Sequence, residues 1–240
     1  MTKIFFSFFI IFFSIYSYTQ EKIYQSENFT VTFNNNKLIT HFISDSTIME
    51  SEFKNASLLI NDLDADGNSE IVLIDSDTTL HQGFVIYVFN TLDDFFLVDS
   101  IIAGWTQPVI VVAEEIQYPV IICSNPDFQI FYSNINENYE PINVWKFEQG
   151  ELYLANEEVY ELFINENENL INLLTDELGN KKADCQRIKP YISLLASAYA
   201  NFINAGETTS AFQMLDKYYT CEDIEKFKQT IDELLFIKEN

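Results

Sequence analysis

Near Ala155 the spacing of apolar residues changes, and the two halves of the chain cannot share one kind of secondary structure. From about Glu27 to Leu154 the apolar residues come in short β-type runs set apart by Asn, Asp, Ser and Gly: FTVTF, KLITHFI, SLLI, EIVLI, FVIYVF, FFLVDSII, PVIVVA, PVIIC, FQIFYS and INVWKFEQGELYL. Several are apolar at consecutive positions, which predicts sheets covered on both faces. Gln149-Gly150 between two strand-like pieces predicts a hairpin.

Beyond Ala155 the period is helical. Asn156 is placed to cap a short helix carrying Val159, Leu162 and Phe163, and a second carries Leu170, Ile171, Leu174 and Leu178 before Gly179 stops it. A third starts at Pro190 and shows Ile192, Leu195, Tyr199 and Phe202. Gly206 breaks the chain, and Ala211, Met214, Leu215 and Tyr218 form the next face. The last is expected to begin at Thr220, where Thr-Cys-Glu-Asp has capping-box spacing, and to continue through Ile224, Phe227, Ile231 and Leu234. The expected class is therefore α+β: an N-terminal antiparallel β domain over residues 20–154, with blade-like or open propeller-like sheets, and a helical domain over 155–240.

Residues 1–19 are read apart from both. Lys3 precedes an apolar run from Ile4 to Phe13, interrupted by Ser7 alone, and a Ser/Tyr/Thr-rich stretch, the layout of a cleaved signal peptide and too short for a span of about 20 apolar residues. The mature chain is expected to be secreted or periplasmic, with no stable membrane span. Antiparallel packing of successive helices puts Cys185 and Cys221 at the same end of the bundle. An exported chain can join them in a disulfide, worth about 3 to 4 kcal/mol on the loop-entropy view. Cys123, in PVIIC, reads as a buried strand thiol.

Composition narrows the function classes. A hydrophobic content of 48% excludes global disorder, and 37 acidic against 13 basic residues, a net charge of −24, argues against nucleic acid and anionic membranes as partners. Six Gly and two His leave little material for phosphate cradles or imidazole chemistry. Neither Gly-x-Ser-x-Gly nor His-Glu-x-x-His occurs, and no catalytic residue is assigned. His41 and His81 read as structural, Glu114-Glu115 and Asp93-Asp94 as edges or turns. Trp105 with Tyr118 or Tyr132 is a candidate aromatic platform, with core packing the competing role.

One motif holds chemistry. Asp62-Leu63-Asp64-Ala65-Asp66-Gly67-Asn68-Ser69-Glu70 sets acids at alternate positions of a tight loop between LLI and IVLI. The side chains of Asp62, Asp64, Asp66 and Glu70 and the carbonyl of Asn68 supply the oxygens a hard cation such as calcium takes. An EF-hand would need Glu at the position occupied by Leu73, and strands rather than helices flank the loop.

Strand, Asp-x-Asp-x-Asp-Gly-x-x-acid, strand resembles the FG-GAP or VCBS-type repeat of β-propellers in integrin α-chains and many bacterial surface proteins. The resemblance covers about Leu58 to Ile102, implying one four-stranded calcium-binding blade. About 130 β-type residues make two or three blades, fewer than the 4 to 8 of a closed propeller. Ile192 to Asp223, with Phe202, Gly206, Ala211 and Leu215, is similar to a tetratricopeptide helical pair, but Tyr199 stands where that repeat has a small residue. One copy implies an ordinary helical hairpin. The expected function is an exported, bacterial-type calcium-binding protein acting as a non-enzymatic binding or interaction module, its partner another envelope or extracellular protein or a glycan. The alternative is a secreted hydrolase using dispersed carboxylates.

Overall fold

Two-residue turns cut the N-terminal part into short strands. Asn35-Asn36 (φ 51° and 61°) joins β2 (Phe29–Asn34) to β3 (Lys37–Phe42), and Gln149-Gly150 (φ 54° and 82°) joins β11 (Ile142–Glu148) to β12 (Glu151–Leu154). Two positive φ values in a row make a primed turn, whose twist matches that of a hairpin. The computed structural model describes residues 21–44, 46–76, 83–132, 139–179 and 184–236. The expected signal peptide at residues 1–19 and His81 lie outside the described residues.

Among the described residues the strands form three four-stranded antiparallel meanders, each built from sequence neighbours. The first is β1 (Lys22–Gln25), β2, β3 and β4 (Ile48–Glu52). The second is β5 (Ala56–Asn61), β6 (Glu70–Ser76), β7 (Phe84–Asn90) and β8 (Phe96–Ile102). The third is β9 (Val109–Val112), β10 (Pro119–Ser124), β11 and β12.

Side-chain alternation along β6 fixes how these sheets stack. Ile71 and Leu73 pack with Phe29, Val31, Phe33 and Leu38 of the first sheet. Val72 and Ile74 point the other way and pack with Ile121, Cys123 and Phe147 of the third. The consecutive apolar residues of EIVLI thus serve two cores, with every residue from Glu70 to Asp75 buried. On the far side of the third sheet, Val120 and Val144 meet Val159 and Phe163 of the helical segment. The order of layers is first sheet, second sheet, third sheet, helices, an α+β fold.

The helices are α1 (Tyr160–Leu178), α2 (Cys185–Ile188), α3 (Ile192–Asn204), α4 (Thr208–Tyr218) and α5 (Ile224–Phe236). In α3 every residue from Ser193 to Asn201 is buried. Ser193, Ala196, Ser197, Ala198 and Ala200 keep its surface thin, and Leu195 and Tyr199 share a core with α1, α4, α5 and Phe128. The disulfide Cys185–Cys221 ties α2 to the turn before α5. Among the described residues no helix is long and apolar enough to cross a membrane.

Five elements differ from the sequence expectation. FQIFYS is not a strand: Asn125 accepts the Asp127 N–H, Pro126 opens a 3-10 turn over Pro126–Phe131, and Phe128 plugs into the helical core. The two short helices expected after Asn156 are one, α1, because the polar run through Asn165–Asn169 sends Asn167 inward, where its amide donates to the Ala198 carbonyl at 3.1 Å. Asn156 lies outside that helix, buried, accepting the Val144 N–H at 2.8 Å. The last helix starts at Ile224 rather than Thr220. Asp223 takes the Phe227 N–H (2.9 Å) and the Tyr219 hydroxyl (3.0 Å), and the Tyr219 ring stacks on Phe227. Strands β1 and β4 carry mostly exposed residues and have no apolar run to mark them.

Leu73→Ala should cost about 2–5 kcal/mol in chemical denaturation, whereas Leu97→Ala, at a site 48% exposed on β8, should stay within about 0.5 kcal/mol. Equal losses at both sites would contradict the layer order. Maleimide labelling of the denatured chain should find one thiol, that of Cys123, without reductant, and three after reduction.

Candidate metal centre

The β5–β6 hairpin is closed by the pair Asn61 and Glu70, and residues 62–69 bridge its tip. Leu63 dips into the core between the second and third sheets, 1% exposed. Glu70 has the parity of Val72 and Ile74, so its side chain is drawn to the same side. It is 3% exposed, and its Oε2 accepts the Leu63 N–H at 2.8 Å.

The rest of the loop is wound by its own carboxylates. Asp62 accepts the N–H groups of Asp66 (3.1 Å) and Gly67 (3.0 Å), and Asp64 accepts the Asp66 N–H at 3.3 Å. Ala65 (φ 57°) and Gly67 (φ 93°) take left-handed conformations, and glycine does so without steric cost. On its other side the loop is braced from a distance: the Thr91 hydroxyl donates to the Ser69 carbonyl and receives the Tyr24 hydroxyl at 3.0 Å. Sequence reasoning missed Thr91 and Tyr24, which carry no local signal because they sit in other strands and turns.

This winding brings one carboxylate oxygen each of Asp62, Asp64 and Glu70 within 4.8 Å of one another. Asp66 is not in that group; its carboxylate accepts the backbone N–H (2.7 Å) and side-chain amide (3.2 Å) of Asn68. No salt bridge among the described residues reaches any of these carboxylates. Burial pushes Glu70 up to about 7, aided by the charges of Asp64 and Asp66 and opposed by the Leu63 hydrogen bond. Asp64 is raised as well, first by burial and then by Asp66 and Asp62. Three clustered carboxyl groups, two of them raised by burial and by neighbouring acids, offer only oxygen atoms and could hold a hard divalent cation.

The other singled-out residues are dispersed. Cys185 and Cys221 are joined in the helical part, and His41 is exposed on β3. Glu140 collects two of the aromatic candidates, accepting the Tyr132 hydroxyl (2.6 Å) and the backbone N–H of Trp105 (3.0 Å). Burial and that carboxylate push the Tyr132 phenol up. Tyr118, 40% exposed on the β9–β10 turn, has no hydrogen bond to this group. Glu115 accepts the Glu161 N–H at 2.8 Å at the start of α1, and Asp94 accepts the adjacent Phe95 N–H.

The raised Glu70 sets a pH dependence. In chelator the folded protein holds a proton at Glu70 that the unfolded chain gives up at about 4.5, so stability from this group is present below 4.5 and lost as pH rises to about 7. Wild type should lose about 3 kcal/mol relative to Glu70→Gln across that window. Parallel pH profiles of the two proteins would contradict this.

No protein-family model matches the chain, and no curated protein is similar to it.

Proposed function

We propose that this is an exported binding module whose central blade-like sheet is stabilised by one calcium ion at the β5–β6 tip. The observation that carries the reading is the convergence of Asp62, Asp64 and Glu70, with Glu70 buried and unmatched by any salt bridge among the described residues. One oxygen of each of the three carboxylates lies within 4.8 Å of the others, close enough for the three to share one hard divalent cation. Further ligands would come from water or from a modest turn of Asp66 and the Asn68 carbonyl.

The resemblance of this hairpin to FG-GAP or VCBS-type repeats supports the same ion. The role proposed for it is a staple: it neutralises three acids that otherwise repel each other at the edge of the core. Export accords with the signal-like N-terminus and with the Cys185–Cys221 bond, which persists in an oxidising compartment. The proposed partner is a second envelope or extracellular component, a protein or a glycan. The paired acids Glu114-Glu115 and Asp93-Asp94 include a helix cap and a turn, which favours binding over carboxylate hydrolysis.

Stripped of metal and then given calcium at about 100 times its dissociation constant, the protein should gain about 2.7 kcal/mol. For a chain of this size that is a rise of roughly 5–10 °C in melting temperature. Asp64→Asn should abolish the gain while leaving the metal-free melting temperature within a few degrees. A wild-type melting temperature indifferent to calcium would sink the proposal.

A further inference from the structure

At the seam between the third sheet and the helices lies a cavity of about 480 Å³, within the size range of small-ligand sites. Two side chains lining it, Asn125 and Asn143, are only 3% and 4% exposed. Buried carboxamides normally satisfy both ends within the protein. Here a chain of fixed donors leaves the nitrogen ends over. The Val144 N–H can only donate, so it fixes Oδ1 of Asn156 as its acceptor at 2.8 Å. The Asn156 amide then faces Oδ1 of Asn143 at 3.3 Å, and the Asn143 NH2 is left at the end of the relay.

Asn125 repeats the pattern. Its Oδ1 takes the Asp127 N–H at 3.2 Å, and its NH2 has no acceptor among the described residues. Asn204, at the end of α3, lines the same cavity with a buried Nδ2 that also lacks a partner. Three asparagine amides with no acceptor among the described residues therefore line one cavity, and of these the Asn204 Nδ2 is fully buried. Its walls include Leu154 and Leu234, and Glu157 stands exposed at its margin. Among the described residues no lysine or arginine lines it, and nearby Lys146 is occupied by Glu148 (2.9 Å) and Glu158 (3.3 Å).

We infer that this cavity binds a neutral saccharide of one or two rings. Amide donors call for oxygen acceptors. An anion would bring them but would face Glu157 with no cation to offset it. A sugar hydroxyl both accepts and donates, so one group can take an asparagine N–H and give its own proton to Glu157. The C–H face of the ring covers the leucines. A peptide carbonyl accepts only, which fits this arrangement less well. The cavity and the Asp62 loop use different residues, so the two proposals stand or fall separately.

Saturation-transfer NMR on the full chain tests this, with glucose, galactose, mannose, N-acetylglucosamine and their disaccharides at about 10 mM, and tetra-alanine as the peptide probe. At least one saccharide should receive saturation and tetra-alanine none. Asn204→Leu removes a buried Nδ2 that has no partner among the described residues and fills part of the space, and Leu154→Trp adds bulk to the lining from a site 41% exposed, where folding tolerates it. Each should weaken binding about tenfold or more. Transfer to no saccharide, as for a cavity holding only water, transfer to the peptide alone, or saccharide binding undiminished in both variants would overturn the inference.

Discussion

The β half of this protein is organised by the need to cover one strand on both faces. β6 presents Ile71 and Leu73 to one side and Val72 and Ile74 to the other, all at most 6% exposed. A lone hairpin or two-layer sandwich would leave one of those sets in water, at about 1.5–3 kcal/mol per large side chain. The first and third sheets are the covers, and the third in turn needs the helical segment over Val120 and Val144. α3 plays the equivalent part among the helices. It is buried on all sides and thin enough, through its alanines and serines, for α1, α4 and α5 to reach it.

The carboxylate loop follows from the same constraint. Because residues 70, 72 and 74 share a face, putting Val72 and Ile74 into the core between the second and third sheets takes Glu70 there as well. Leu63 enters the same core and brings its N–H to that carboxylate. Asp62 and Asp64, on either side of Leu63, are then held near a buried acid. The strain of that arrangement is electrostatic, seen in the upward displacement of Glu70 and Asp64, and a divalent cation is the simplest way to relieve it. A net charge of −24 makes such relief worth more here than in a balanced chain.

Features with a local cause were legible in the sequence: the Gln149-Gly150 turn, the two-faced run EIVLI, the end of α1 at Gly179, and the shift from strands to helices near Ala155. Features with a distant cause were not. Phe128 and Phe131 read as strand residues until the helical core that receives Phe128 is in place. The polar run within α1 reads as a break, because only the Ala198 carbonyl makes a buried Asn167 acceptable. Exposed β4 exists as a partner for β3, steadied by Lys37 and Glu50, rather than for any pattern of its own. At the loop, alternate acids point to a cation, but that Glu70 is buried, Asp66 turned to Asn68, and the loop tied through Thr91 to Tyr24 needed three strands from two sheets.

The buried Glu70 and its two neighbours are proposed to form one calcium site at the tip of the middle sheet. Anomalous diffraction from crystals grown with calcium tests it most directly. A single peak about 2.3–2.6 Å from carboxylate oxygens of Asp62, Asp64 and Glu70 is the expected result. A loop without a peak at saturating calcium, or an ion bound only elsewhere on the acidic surface, would contradict it.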